Sequence, residues 1–180
     1  MEKKKIWELG RDSVEEFRSK PKMPLVVVLD NVRSLNNIGS IFRTSDAFLV
    51  ERIMLCGITA TPPSTEIHKT ALGAENSVAW EYFENTAVCL ERLQKEGYKV
   101  CVLEQVHNSV PLQEFIPLRE NKYAVVVGHE VQGVSQEAVD MGDVCIERPQ
   151  EGTKHSLNVA VSAGLAIWHF YSHIRLSSPK

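Results

Sequence analysis

Leu25-Val-Val-Val-Leu-Asp-Asn-Val-Arg-Ser-Leu-Asn-Asn-Ile-Gly-Ser-Ile-Phe-Arg-Thr-Ser-Asp46 passes from an apolar run through an asparagine-rich bend into a helical pattern. The run over 25–29 is short, β-branched and uninterrupted, as expected of a strand covered on both faces. The polar bend and Gly39 mark the turn at its carboxyl end, which in an open α/β sheet is the ligand-binding end. Ile38, Ile41, Phe42 and Phe48 recur at roughly helical spacing, leaving Asn37, Arg43 and Asp46 for the helix start and its polar side. An arginine one turn into such a helix invites a phosphate or carboxylate. Taken alone, it would by default pair on the surface with Asp46 or Glu51.

With 180 residues and 43% apolar content the chain can build one substantial core and is too short for two ordinary domains. Residues 1–24 read as a short helical arm of mixed charge, and 25–180 as one domain. A net charge of −3 and a pI near 6.1 exclude a global basic footprint for sequence-independent nucleic-acid binding. RNA contact must come from local patches or an oligomer, and neither DNA nor a membrane is an expected partner. Cys56, Cys89, Cys101 and Cys145 contain no C-x-x-C pair and read as buried thiols of a reducing cytosol, with no metal site. There is no run of 18 apolar residues, so a cytoplasmic protein is expected.

Further along, strands are predicted over 52–56, 78–83, 99–103, 123–127 and 144–146, separated by helical patterns over 68–74 and 86–96 and a helix capped by Ser135. Pro111 and Pro117 break the connection after the fourth strand, and 156–174 reads as one long terminal helix. Strands alternating with helices predict an α/β fold, a mostly parallel sheet with helices on both faces. Three polar turns follow strands, at 36–43, 128–133 and 149–158, and would gather at one sheet edge. Neither G-x-G-x-x-G nor a Lys-Ser/Thr after the second glycine is present, so the dinucleotide and P-loop readings fail.

Asn37-x-Gly39-x-x-x-Arg43, Val125-Val-Val-Gly128-His-Glu130-x-x-Gly133 and Ile146-Glu-Arg-Pro149 followed by Ser156-Leu-Asn158-Val-Ala resemble, in order, the three signature motifs of the SpoU/TrmH branch of the SPOUT methyltransferases. The resemblance runs from about Leu25 to the end of the terminal helix. It implies an enzyme that uses S-adenosyl-L-methionine to methylate a ribose 2′-oxygen in tRNA or rRNA. It also implies a C-terminal deep trefoil knot, and a homodimer whose terminal helices pack together, with Leu165, Trp168 and Tyr171 as candidates. The donor would be held by main-chain groups near Leu103 and Glu104, Gly128 and His129, Ile146 and Leu157, with Gly133 allowing close backbone approach.

By the same resemblance Arg43 is the catalytic arginine, as a general base or, more in keeping with a guanidinium, as a grip on RNA phosphate. Asn37 fixes the turn or the arginine. Glu130 organises the site, forming a charge-assisted pair if buried near Arg43. Ser156 and Asn158 match the last motif, Ser156 being otherwise a helix cap. His129 could touch RNA, though a satisfied turn histidine is the simpler reading, while Lys154, His155, His68 and Lys69 could meet phosphate. Most of the arm's charge, Lys3 to Lys5, Arg11, Arg18, Lys20 and Lys22, would give a modest, salt-dependent RNA affinity. The stretches His68-Lys-Thr-Ala-Leu-Gly-Ala74 and Pro149-Gln-Glu-Gly with Ser156-Leu-Asn-Val lean the substrate toward a D-loop guanosine of tRNA, with rRNA next. A knotted RNA-binding or ribosome-assembly factor without catalysis is the alternative.

Overall fold

The computed structural model describes residues 1–5, 8, 10, 12–154 and 156–176. His155 and Arg11 lie outside the described residues. Seven strands form one sheet: β1 Met23–Asp30, β2 Val50–Cys56, β3 Ala79–Phe83, β4 Tyr98–Leu103, β5 Val110–Pro111, β6 Lys122–Gly128 and β7 Val144–Glu147. Their order is β3-β2-β1-β6-β4-β7-β5, and every pairing is parallel. The helices are α1 Val14–Ser19, α2 Leu35–Ala47, α3 Thr65–Ala71, α4 Ala74–Ser77, α5 Thr86–Lys95, α6 Gln136–Asp140 and α7 Val159–Tyr171, the last running into a π-helical turn, Ser172–Leu176.

The apolar run of β1 is buried on both sides because it lies in mid-sheet, and its side chains alternate between two cores. Leu25, Val27 and Leu29 pack with Ile38, Ile41 and Phe42 of α2 and with Ile167 and Phe170 of α7. Val26 and Val28 face the other way, toward Cys89, Leu90 and Leu93 of α5 and Ala138 of α6. Burial of each such side chain is worth about 1.5–3 kcal/mol. Helices therefore cover both faces, as the alternation of patterns requires.

Register lines up the strand ends that matter. Asp30 stands opposite Gly128, and Leu103 opposite Ile146, with β4 and β6 paired between them. The first three strands step outward from β1 in one direction. After β3 the chain crosses to the far side, and β6 later enters between β1 and β4, while β7 enters between β4 and β5.

Several predicted elements differ in detail. The terminal helix begins at Val159 rather than at Ser156, because Asn158 caps it: its Oδ1 accepts from the N–H groups of Ala160 (2.8 Å) and Val161 (3.3 Å). It also ends earlier, where Ser172 Oγ donates to the His169 carbonyl (2.8 Å) and the His173 ring meets the same oxygen. The predicted helix over 68–74 is two short helices, split where Leu72 and Gly73 take left-handed conformations. Ser135 makes no side-chain cap; its N–H instead donates to Asp30 Oδ2 at 2.7 Å. The two-residue strand β5 sits at the sheet edge, where a proline removes no needed hydrogen bond.

Candidate active site

The turn after β1 is built on buried polar groups. Asp30 is buried, and Oδ1 accepts from Thr86 Oγ1 (2.6 Å) and Asn31 Nδ2 (2.8 Å), tying β1 to the start of α5. Thr59 Oγ1 donates to the Leu29 carbonyl (3.1 Å) and accepts from Val32 N–H (2.9 Å), fixing the backbone as it leaves the sheet. Ser34 then caps α2, its hydroxyl accepting from Asn37 N–H.

Against this turn lies Glu130, delivered by the tight loop after β6. Its Oε2 accepts from Arg33 N–H (3.0 Å), and its Oε1 from Ser34 N–H (2.9 Å) and Asn37 Nδ2 (3.0 Å). Asn37 Oδ1 accepts in turn from Asn158 Nδ2 at 3.0 Å. One hydrogen-bonded line therefore joins the three polar segments, from Glu130 through Asn37 to the cap of α7. Burial raises the Glu130 pKa, but hydrogen bonds from Asn37 and from the N–H groups of Ser34 and Arg33 outweigh it and hold the carboxyl below its ordinary value. The carboxylate also complements the positive end of α2.

The loop carrying Glu130 is short, three residues closed by an antiparallel bridge between His129 and Gly133. His129 and Gly133 exchange both backbone hydrogen bonds, at 3.0 and 2.9 Å. His129 Nδ1 accepts from the N–H groups of Val131 (3.1 Å) and Gln132 (3.3 Å), so the ring carries its proton on Nε2 and serves the turn. A Cβ on Gly128 would stand 2.2 Å from the Gly133 backbone, and Gly133 itself has φ +71°. Glu104, expected to contribute only main chain, uses its carboxylate as a clamp. It accepts from Val134 N–H (2.9 Å) and Gln105 N–H (2.9 Å), against the face that Gly133 leaves bare.

Beside this loop is a cavity of about 190 Å³ lined by Leu103, Glu104, Gly128, His129, Gly133 and Leu157, and also by Glu130, Arg148, Ser156 and Ser162. All the residues expected at the donor site except Ile146 line it. Ile146 is buried one layer back, its carbonyl accepting from Glu104 N–H at 3.1 Å. Ser156 lines the wall and does not cap the helix.

The sequence profile described as the SpoU rRNA Methylase family matches residues 24–168. The chain belongs to that family. It is 28% identical over 158 residues to a "Putative TrmH family tRNA/rRNA methyltransferase" of Staphylococcus haemolyticus, covering 88% of this chain and 62% of the relative. To a "23S rRNA (guanosine-2'-O-)-methyltransferase" of Vibrio parahaemolyticus it is 27% identical, covering 89% and 64%. The chain thus spans less than two thirds of these relatives' length. Among solved structures, the AdoMet-bound rRNA methyltransferase from Sinorhizobium meliloti superposes with TM-score 0.79 at 25% identity, covering 88% and 60% of the two chains. The A. aeolicus TrmH/SpoU tRNA modifying enzyme gives 0.76 at 27%, covering 92% and 87%.

In this SpoU-family chain Arg43 lies on the exposed side of α2 and is not among the residues that line the cavity. It makes no hydrogen bond or ion pair with any described residue. Asp46 instead accepts from Ser77 Oγ (2.5 Å) and Glu51 from the Tyr98 hydroxyl (2.6 Å), so neither default partner engages it. The pair expected between Glu130 and Arg43 is likewise not formed, since Asn37 and two backbone N–H groups occupy the carboxylate. His68 meets Glu75 at 2.5 Å and Lys69 meets Glu66 at 2.6 Å. In the arm, Lys20 pairs with Asp12, Lys22 donates to the Phe17 carbonyl and Arg18 to that of Asn76 (2.6 Å). Sequence reasoning gave no role to Asp30 or Ser34, and quoted Arg148 within the motif Ile146-Glu-Arg-Pro149 without assigning it one.

Proposed function

We propose that this chain methylates a ribose 2′-oxygen in structured RNA with S-adenosyl-L-methionine as donor, at a D-loop guanosine of tRNA in preference to rRNA. The observation that carries it is the line of hydrogen bonds from Glu130 through Asn37 to Asn158, which sets the turn leading to Arg43 against the wall of the cavity. The relatives' names support RNA of both kinds, and the lean to tRNA rests on the sequence over 68–74, 149–152 and 156–159. The trefoil knot belongs to the same proposal, supported by the late entry of β6 and β7 between earlier strands. So does a homodimer through α7.

The cavity suits the donor by its chemistry. Leu103, Val127, Leu157 and Val159 offer apolar walls for a purine, and the strand ends beside them offer main-chain groups. When bound, S-adenosyl-L-methionine supplies a methyl group on a sulfonium. Transfer would move that methyl to the ribose oxygen, leave the thioether as S-adenosyl-L-homocysteine and release the hydroxyl proton to solvent; because charge on sulfur is neutralised, positioning in a dry site would do much of the work. A guanidinium stays charged in proteins, so the part of Arg43 is to hold RNA phosphate and aim the hydroxyl. Glu130, held ionised with its oxygens engaged, keeps Asn37 and the turn in place.

Calorimetry with S-adenosyl-L-methionine and mass-spectrometric mapping of ribose methylation, in total RNA with and without the protein, test this. Arg43→Ala is expected to lower methyl transfer by at least about 100-fold, the scale for removing one aligned cationic donor, with donor affinity unchanged. No heat of binding would remove the enzyme reading. Donor binding without methylation of any RNA would leave the catalytically silent RNA-binding factor.

A further inference from the structure

Three charged side chains line the cavity: Glu104, Glu130 and Arg148. The two carboxylates have their hydrogen bonds supplied by the loops they clamp. Arg148 does not. Its Nη1 donates to Ser162 Oγ on α7, its Nε is buried with no hydrogen-bond partner, and it forms no ion pair with a described acid. Burial lowers its pKa from the ordinary value, the nearby Glu104 opposing this only in part. A half-buried cation is costly unless a partner arrives; the buried Nε is closed to an incoming group, but Nη2 has no partner among the described residues and is left to take a carboxylate. Val159 and Ser162 place the first turn of α7 on the same wall, adding partial positive charge there.

We propose that Arg148 is the recognition group for the carboxylate of the methyl donor, and so sets the preference for the intact aminoacyl form. This rests on the donor reading above. At neutral pH that molecule carries a sulfonium, an ammonium and one carboxylate. The cavity presents the complement, two carboxylates and one guanidinium. The carboxylate is the donor's only anion, and Arg148 is the only cation among the described lining residues.

Titration calorimetry of the full chain with S-adenosylmethionine, its decarboxylated form and 5′-methylthioadenosine decides the matter. The first two differ in a single carboxylate, and the third lacks the whole aminoacyl arm. Wild type is expected to prefer S-adenosylmethionine over the decarboxylated form by about tenfold or more, the scale of one charge-assisted hydrogen-bonded pair. Arg148→Met should erase that preference while leaving 5′-methylthioadenosine affinity within about twofold, and Arg148→Lys should keep part of it. Equal weakening of all three ligands by Arg148→Met, or no weakening of any, overturns the assignment. If Arg148→Met misfolds, shown by the loss of a cooperative thermal melt, the wild-type ratio decides, and a ratio near one overturns it. Failure of wild type to bind any of the three removes the donor reading itself, a result distinct from binding without discrimination.

Discussion

Glu130 gathers its donors from a segment 93 to 97 residues away in the chain, and its charge is what they share. Its carboxyl is held below the ordinary value of 4.5, so it binds fewer protons folded than unfolded in that range. The stabilisation is therefore complete above about pH 5 and is lost as pH falls through 4.5 toward the folded value. Glu130→Gln cannot ionise and turns an amide N–H toward donors, so it should be less stable than wild type at neutral pH. Urea midpoints from about pH 7 down to about pH 3.5 should show that gap constant at first and then narrowing. A gap unchanged down to the lowest pH would mean that the charge of Glu130 contributes nothing. Asn37, Arg43 and Glu130 are legible in sequence as residue types that fit an anion-handling turn. Their partnerships are not, because hydrogen bonds between distant segments leave no periodic trace, and Glu130 joins Asn37 where proximity of motifs suggested Arg43. Arg148, quoted only within a motif, was given no role for a related reason: a charged residue after a strand is solvated by default, and its half-burial beside Ser162 of α7 comes from the fold.

At the scale of elements, α2 carries the weight, since it presents Asn37 on one side and Arg43 on another while packing on α3 and α7. Gly39 is what lets α3 approach. A Cβ there would stand 2.1 Å from Thr70 Oγ1 and 2.3 Å from the Ile67 carbonyl, and the latter is backbone that cannot swing aside. Gly39→Ala would gain helix propensity of about 1 kcal/mol but must separate the helices, with a strain cost of about 1–3 kcal/mol or more. The net expectation is a lower urea midpoint with unchanged m-value, and a displaced Asn37 that lowers the proposed methyl transfer further than the stability loss explains. A Gly39→Ala variant as stable as wild type would mean that α3 yields without cost. Strands with runs of β-branched residues were legible because burial on both faces removes polar alternation. The two residues of β5, the break between α3 and α4, and the start of α7 were not. They depend on edge pairing, on left-handed Leu72 and on a side-chain cap, each invisible to windowed patterns.

The whole molecule adds what no single element contains: the order of its strands and the face it leaves open. Alternating patterns imply a parallel sheet but not that β6 lies between β1 and β4, since insertion is a property of the path. On α7 the buried side packs into the core through Ala163, Ile167 and Phe170, while Phe48 of the segment after α2 takes Trp168 and Tyr171 at ring distances of 5.4 and 5.1 Å. Tyr171 is thereby largely spent within the chain. Val161, Leu165 and Trp168 remain 52%, 45% and 48% exposed, at the i, i+4, i+7 spacing of a helix stripe. A stripe of that spacing on a helix already anchored to the core is suited to a twofold partner, each copy covering the same patch of the other. The proposed dimer makes a direct prediction for Leu165→Glu. The side chain is peripheral to the core, so the melting temperature of a dilute sample should move little, whereas a charge in a self-complementary apolar patch meets its own like-charged copy. Sedimentation velocity should find wild type as a dimer and Leu165→Glu as a monomer at the same micromolar concentration, with dissociation of wild type only on strong dilution. If Leu165→Glu sediments as wild type does, the α7 stripe is not the interface and the partner must be sought on another face.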